Sequence, residues 1–330
     1  MKAIIQIPCF NEESTLPRTL ADLPRQLPGF DRVEWLVIDD GSTDRTAEVA
    51  RAHGVDHVVS LGHNQGLARA FVAGLVAAVE RGADVIVNTD ADNQYRGEDV
   101  ARLVAPVVDG SADLVIGSRP ISSIEHFSPV KRLLQRLGSR VVRGLSGTSI
   151  RDAPSGFRAL SADAALRLNV FSSYTYTLET IIQAGHSGLR VLDVPIEVNA
   201  PTRESRLIRS IPSYLRHSLV ALLGAYTIYR PTRLFGALAT VLLIPAAALA
   251  GRYLVLVGMG QGGGHVQSVI ASGVLAIAGL FMAAIGVVAH LLAINRRLLE
   301  EIRYLQRAQA LRRRGGAERP PAPAIRGRAV

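Results

Sequence analysis

The sequence predicts an α/β domain built on a mostly parallel sheet, followed by two membrane-spanning helices. Three observations carry this prediction. Short apolar runs alternate with helical patterns through residues 3–117. Polar, acid-rich clusters stand directly behind three of those runs. Two long apolar stretches close the chain, and Arg252 is the only Lys, Arg, Asp or Glu between Arg233 and Arg296.

The strands are expected at Ala3–Pro8, Val33–Ile38, His57–Leu61, Asp84–Thr89 and Asp113–Gly117. Helical patterns lie near 13–27, 43–53, 66–82 and 97–109. Strand and helix in alternation argue for a parallel sheet covered on both faces. Such sheets bind ligands at the carboxyl ends of their strands. The polar clusters stand at three of those ends: Pro8 to Glu13, Asp39 to Asp44, and Asp90 to Gln94.

The Asp90/Asp92 pair is the sharpest chemical signal. Residues i and i+2 of an extended chain point the same way, so the two carboxylates stand side by side. Two acids held together repel unless a cation joins them. Mg²⁺ and Mn²⁺ take carboxylates and commonly share them with substrate phosphates. Gln94 adds a neutral oxygen. No G-x-G-x-x-G follows the first strand and no P-loop occurs, which disfavours a dehydrogenase or a P-loop enzyme.

Composition narrows the class. Leu234–Val257 and Val266–Ile294 each exceed the ~20 residues a membrane helix needs. Met1-Lys2 leads straight into the first strand, so no signal peptide is expected. The one cysteine, Cys9, excludes internal disulfides and cysteine-based zinc clusters. The net charge is +9, from 37 basic and 28 acidic residues. Arginines crowd before the first apolar stretch and after the second, while the connecting loop Gly258–His265 has none. The positive-inside rule then places both flanks and both termini in the cytoplasm. No finger or RNP pattern accompanies the charge, so nucleic acid is not expected as a partner.

Residues 128–147 carry Arg132, Arg136, Arg140 and Arg143 at helical spacing beside Leu133, Leu137, Val141 and Leu145. The pattern fits a solvated helix face or a helix lying at the membrane surface. Ser205–Arg230 is amphipathic and basic in the same way. Small residues recur from Ser268 to Ala283 in the second stretch, a spacing that joins the spans or mediates a homo-oligomer. The expected organisation is a catalytic domain over 1–204, interfacial helices over 205–231, spans at 232–257 and 266–294, and a basic tail over 295–330. The composition of the tail from Gly315 predicts disorder.

Taken together the motifs resemble those of family 2 glycosyltransferases of the GT-A fold, and within them the polyprenyl-phosphate glycosyltransferases that include dolichol-phosphate mannose synthase-like enzymes. The matching pieces are Ile7–Glu13, Val37–Asp44, Asn64-Gln65-Gly66, Asp90–Gln94, Ile116–Arg119, Asp152–Arg158 and Arg203-Glu204-Ser205. They run in family order over about 200 residues.

The resemblance implies roles. Pro8, Asn11, Glu12, Asp40 and Gly66 would line the nucleotide-sugar pocket. Asp90, Asp92 and Gln94 would hold Mg²⁺ or Mn²⁺ on the diphosphate. Arg119 would meet a phosphate of donor or acceptor, and Asp152 and Ser155 would sit beside the acceptor. Lys131, Arg132 and Arg136 would take the acceptor phosphate. Here the chain departs from the pattern, with Lys131 and Gln135 where Arg and Ser are usual.

The implied reaction is inverting sugar transfer from a nucleotide diphosphate to a polyprenyl phosphate at the cytoplasmic face of the inner membrane. A phosphate monoester, with a second pKa near ~6, is already an anion at neutral pH. It needs cations more than a general base, so Asp152 is a positioning group. A processive polysaccharide synthase carries Q-x-x-R-W, but the only tryptophan is Trp35 in the second strand. Other lipid or polysaccharide acceptors, and a non-catalytic membrane scaffold, are the alternatives.

Overall fold

A computed structural model describes residues 1–120, 129–170, 176–199, 224, 226–227 and 229–315, with the backbone alone for 129–137 and 312–315. The chain forms a seven-stranded sheet in the order β3-β2-β1-β4-β6-β5-β7. The predicted strands are β1 (Lys2–Cys9), β2 (Arg32–Asp39), β3 (His57–Ser60), β4 (Val85–Asn88) and β5 (Leu114–Ser118). The intervening helices are α1 (Leu16–Asp22), α2 (Thr46–Ala52), α3 (Leu67–Glu80) and α4 (Asp99–Val108).

The central strands read as continuous apolar runs because both faces are covered. Ile4, Leu36, Ile38 and Ile86 pack on one face with Phe71 and Leu75 of α3. Ile5, Ile7, Val37 and Val87 pack on the other with Leu20 of α1 and Leu103 of α4. Strand side chains alternate in direction, so one strand feeds both layers. β1 lies between β2 and β4, parallel to each. The chain turns one way from β1 toward β3 and the other way toward β4. That reversal opens a crevice at the carboxyl ends of β1 and β4, where the polar clusters lie.

Two strands and two helices have no counterpart in the sequence reading. β6 (Arg158–Ser161) runs antiparallel between β4 and β5, and β7 (Val191–Pro195) pairs with β5 at the sheet edge. Neither is a continuous apolar run: β6 opens with Arg158 and β7 holds Asp193. α6 (Ala162–Arg167) starts at Ser161, whose hydroxyl accepts the Ala164 N–H, and α7 (Thr177–His186) follows. β6 matters most for the site. Its register sets Arg158 opposite Asn88, so the loop before it lies against the end of β4.

The basic segment forms helix α5 (Pro129–Ser146). The predicted interfacial stretch 205–230 lies almost wholly outside the described residues. The two apolar stretches form α8 (Pro231–Gly258) and α9 (Val266–Gly315), long and apolar enough to cross a membrane. They pack as a hairpin through small residues. The Ser272 hydroxyl donates to the Ala246 carbonyl at 2.8 Å. A Cβ on Gly279 would stand 2.7 Å from Leu243, and one on Gly286 3.0 Å from Phe235. So Ser272 and Gly279 of the predicted small-residue repeat join the two helices of one chain.

α9 does not stop at the end of its apolar run. Residues 295–315, read from sequence as the start of a basic tail, continue the helix and dock on the catalytic domain. Tyr304 donates to Asp163 at 2.5 Å and stacks under Arg167, and Arg307 reaches the Leu166 carbonyl at 3.4 Å. Residues 316–330 lie outside the described residues.

Candidate active site

Three strand ends build the site. After β1, Asn11 adopts a left-handed conformation (φ 55°) that turns the chain across the sheet end. Its side-chain oxygen accepts the Thr43 N–H at 2.8 Å, and its own N–H donates to Ser42 Oγ at 3.0 Å. The Glu12 N–H donates to Thr46 Oγ1 at 2.9 Å, and its carboxylate accepts the Thr15 hydroxyl at 2.6 Å. The loop after β1 is thus laced to the loop after β2. Asp40, buried after β2, takes the N–H groups of Gln65 and Gly66 at 2.8 and 2.9 Å. Its charge sits at the start of α3, where N–H groups point outward. Gly41 is required here: a Cβ would stand 2.3 Å from the His63 backbone. Pro8, near the end of β1, and Asn11, Glu12, Asp40 and Gly66, on the loops beyond, therefore lie along one sheet edge.

Asp90 and Asp92 follow β4. Burial and the neighbouring Asp92 push the Asp90 carboxyl up to about 7, against the pull of Arg119 and Arg158. Gln94 donates its side-chain amide to Asp92 at 3.0 Å and so orients that carboxylate. Among the described residues no cluster of three His, Cys, Asp or Glu forms a complete metal cage. Two carboxylates and an amide suit a hard cation that draws its remaining ligands from water and substrate phosphate. The donor set fits Mg²⁺ or Mn²⁺.

The loop 152–157 faces this pair. Asp152 is fully buried and grips Arg119: Arg119 donates from Nε at 2.6 Å, Nη2 at 3.0 Å and its backbone N–H at 3.2 Å. Sequence reading sets Arg119 on a phosphate; the structure engages two of its side-chain nitrogens with Asp152. The Ser155 hydroxyl is buried and has no hydrogen-bond partner among the described residues. The side chains of Lys131, Arg132 and Arg136 lie outside the described residues, although their backbone is helical in α5. The carboxyl end of α5 adjoins the start of α8, where Arg230 reaches the Leu145 carbonyl at 3.3 Å.

Several residues have no role in the sequence reading. Arg158 is fully buried and braces the loop through the carbonyls of Ser155 (2.9 Å), Ala153 (3.1 Å) and Thr177 (2.8 Å), and through the Thr180 hydroxyl. Burial pushes its pKa down to about 10. Gln6 and Asn88 face each other in register and bond at 2.8 Å, and Asn88 donates on to the Gly156 carbonyl at 2.8 Å. Tyr95 accepts the Gly156 N–H at 3.0 Å. The available signal was a polar residue inside each apolar strand, Gln6 and Asn88. Gly156 itself is packed against Asp90: a Cβ would stand 3.0 Å from Asp90 Oδ1 and 3.1 Å from Oδ2.

Gly156→Ala is therefore expected to displace Asp90 by a few tenths of an ångström while leaving the sheet intact. Misplacing a group that supports a metal ligand typically costs ~10–100-fold in metal affinity. Titration of transfer activity with Mn²⁺ should show a raised half-saturation concentration. An unchanged titration would mean that Asp90 is free to relax.

A family model described as glycosyl transferase family 2 matches residues 4–168, half of the chain, through loop 152–157 and α6. The chain is similar to undecaprenyl-phosphate mannosyltransferase of Micrococcus luteus, with 33% identity over 206 residues, 59% of this chain and 83% of that one. It is 29% identical to polyprenol monophosphomannose synthase of Mycolicibacterium smegmatis over 206 residues, 59% of this chain and 76% of that one. Among solved structures it is similar to glucosyl-3-phosphoglycerate synthase from Mycobacterium tuberculosis in complex with Mn²⁺, UDP and glucosyl-3-phosphoglycerate. That likeness has a TM-score of 0.54 and 21% identity, covers 68% of this chain and 78% of that one, and shows a shared GT-A-like fold. An acid pair after β4, a mostly parallel sheet and these matches agree: the chain belongs to glycosyl transferase family 2 and is a glycosyltransferase.

Proposed function

We propose that this enzyme moves a sugar, with inversion, from a nucleotide diphosphate to a polyprenyl phosphate at the cytoplasmic face of the inner membrane. The observation that carries the reading is the joining of two features in one chain. A site with paired carboxylates stands on a GT-A-like sheet, and that sheet is tied to a helical hairpin fit to span a bilayer. Relatives named for transfer to undecaprenyl phosphate and polyprenol support the acceptor class.

Each part of the site has a task in this reading. The β1 and β2 loops, with Pro8, Asn11, Glu12, Asp40 and Gly66, hold the nucleoside. Asp90 and Asp92, the latter oriented by Gln94, would hold Mg²⁺ or Mn²⁺, which supplies charge neutralisation for the departing diphosphate. The acceptor's phosphate oxygen attacks the anomeric carbon from the side opposite the leaving group. It is already ionised, so no general base is required. Asp152, held by Arg119, and Ser155 position the acceptor, and the Lys131–Arg136 stretch of α5 meets its phosphate near the bilayer surface.

Purified full-length protein, Mn²⁺ and undecaprenyl phosphate, tested against a panel of radiolabelled nucleotide sugars, provide the test. Label should enter the organic phase with one or a few donors. Transfer only to a soluble phosphorylated acceptor, with none to lipid, would overturn the acceptor assignment.

The same reading places both termini in the cytoplasm. A reporter fused after Val330 should be active only in its cytoplasmic version, and one inserted near Gly262 only in its periplasmic version. The opposite pattern would refute the topology.

A further inference from the structure

α9 presents two opposite stripes along its whole length. One stripe packs on its own chain. Within the hairpin it comprises Ser272, Gly279 and Gly286, which meet α8. The same seven-residue spacing carries it past Ala293 to Glu300 and Arg307, beside Tyr304, which docks on α6. The opposite stripe repeats at alternating steps of four and three residues from Ile270 through Phe281 and Leu291 to Leu305. Its nine large apolar members are 50–71% exposed.

Lipid accounts for only part of that stripe. Ile270 to Leu291 spans ~32 Å of helix, about the thickness of a bilayer's hydrocarbon core. Arg296 and Arg297 then mark the inner boundary, and Arg296 bonds Tyr229 next to the start of α8 at 2.8 Å. Leu298, Ile302 and Leu305 lie beyond it, with Leu305 ~21 Å further along the helix than Leu291. They are 50–54% exposed, on the side away from the catalytic domain.

We infer that this stripe is the seam of a parallel homodimer, with the α9 helices of two copies joined through the membrane and beyond it. Copies in one membrane share an orientation, so a two-fold axis along the membrane normal brings the same stripe together. Over residues 288–305 the heptad pattern selects two strands. Leu291, Leu298 and Leu305 occupy one seam position, and the β-branched Val288 and Ile302 occupy the other, the arrangement that favours dimers. Asn295 stands at a seam position between them, where a single polar residue fixes register and strand number. Flanking positions add no like-charge clash: Glu301 of one copy faces Gln306 of the other. Aliphatic transfer energies correspond to roughly 60–120 Å² per side chain, so half-exposed members from two copies bury on the order of 1,000 Å², the range of stable interfaces.

Cysteine cross-linking of the full chain in native membranes tests the seam, because the sole native cysteine, Cys9, is buried. Leu298→Cys, Ile302→Cys and Leu305→Cys should each give disulfide-linked dimers, severalfold above Arg303→Cys, which lies off the seam. Leu298→Asp combined with Ile302→Asp should halve the protein mass in detergent, since neither side chain supports the fold of its own protomer. Equal cross-linking on and off the seam, capture of a different protein, or an unchanged dimer mass in the Asp variant would overturn the proposal. The readout is mass, so it stands or falls separately from the identity of the acceptor.

Discussion

Replacing either Asp90 or Asp92 with alanine is expected to lower sugar transfer by at least ~10²–10³-fold, the usual cost of removing a preorganised charge-stabilising group. The two acids follow β4, one residue apart, and face the 152–157 loop. Both lie beyond the end of β4, outside the sheet. Burial first, and then the neighbouring Asp92, pushes Asp90's pKa up to about 7, so the ionised pair is unfavourable without a cation. Either substitution should therefore leave the melting temperature unchanged or slightly raised while transfer is lost. Excess EDTA should reproduce the loss in the parent protein, and added Mn²⁺ should restore it. Full turnover in EDTA would exclude the metal assignment. A variant that loses activity and melting temperature together would show that the pair is structural.

The Arg119–Asp152 pair should behave in the opposite way. Asp152 is fully buried and Arg119 nearly so, at 0% and 15% side-chain exposure. Removing one partner of a buried pair leaves an uncompensated charge and costs ~3–5 kcal/mol. For a domain of this size that lowers the melting temperature by on the order of 10 °C. Arg119→Ala and Asp152→Ala should each show this loss, and the double variant should recover much of it. Loss of transfer in Arg119→Ala alone would thus not identify a phosphate contact. The informative variant is Arg119→Lys, which keeps the charge but loses the two-pronged grip. Melting curves of all four proteins decide the matter. If Arg119→Ala melts with the parent, the pair does not hold the loop and Arg119 is free to meet a phosphate.

Legibility in the sequence followed burial. β1, β2, β4 and β5 were plain because strands covered on both faces are apolar throughout. β6 and β7 were not, because β6 begins with an arginine and β7, a half-exposed edge strand, is interrupted by Asp193. Asp90 and Asp92 announced themselves because their relation is local: two acids stand one residue apart directly behind an apolar run, although the chain already turns there. The pairing of Arg119 with Asp152 was not legible, because the two lie 33 residues apart and meet only because β6, which the sequence did not show, lies beside β5.

The sequence by itself determined the layered α/β sheet, the acid pair after β4 and the two apolar helices. Each is written in nearest-neighbour spacing, which hydrophobic burial and strand geometry convert directly into structure. Only the tertiary structure decided which charges meet. The antiparallel insertion of β6 carries loop 152–157 against Asp90, ties Asp152 to Arg119 and leaves Gly156 no room for a side chain. It also decided which face of α9 stays bare, because a heptad marks a stripe but only packing against α8 and α6 shows which one its own chain has used.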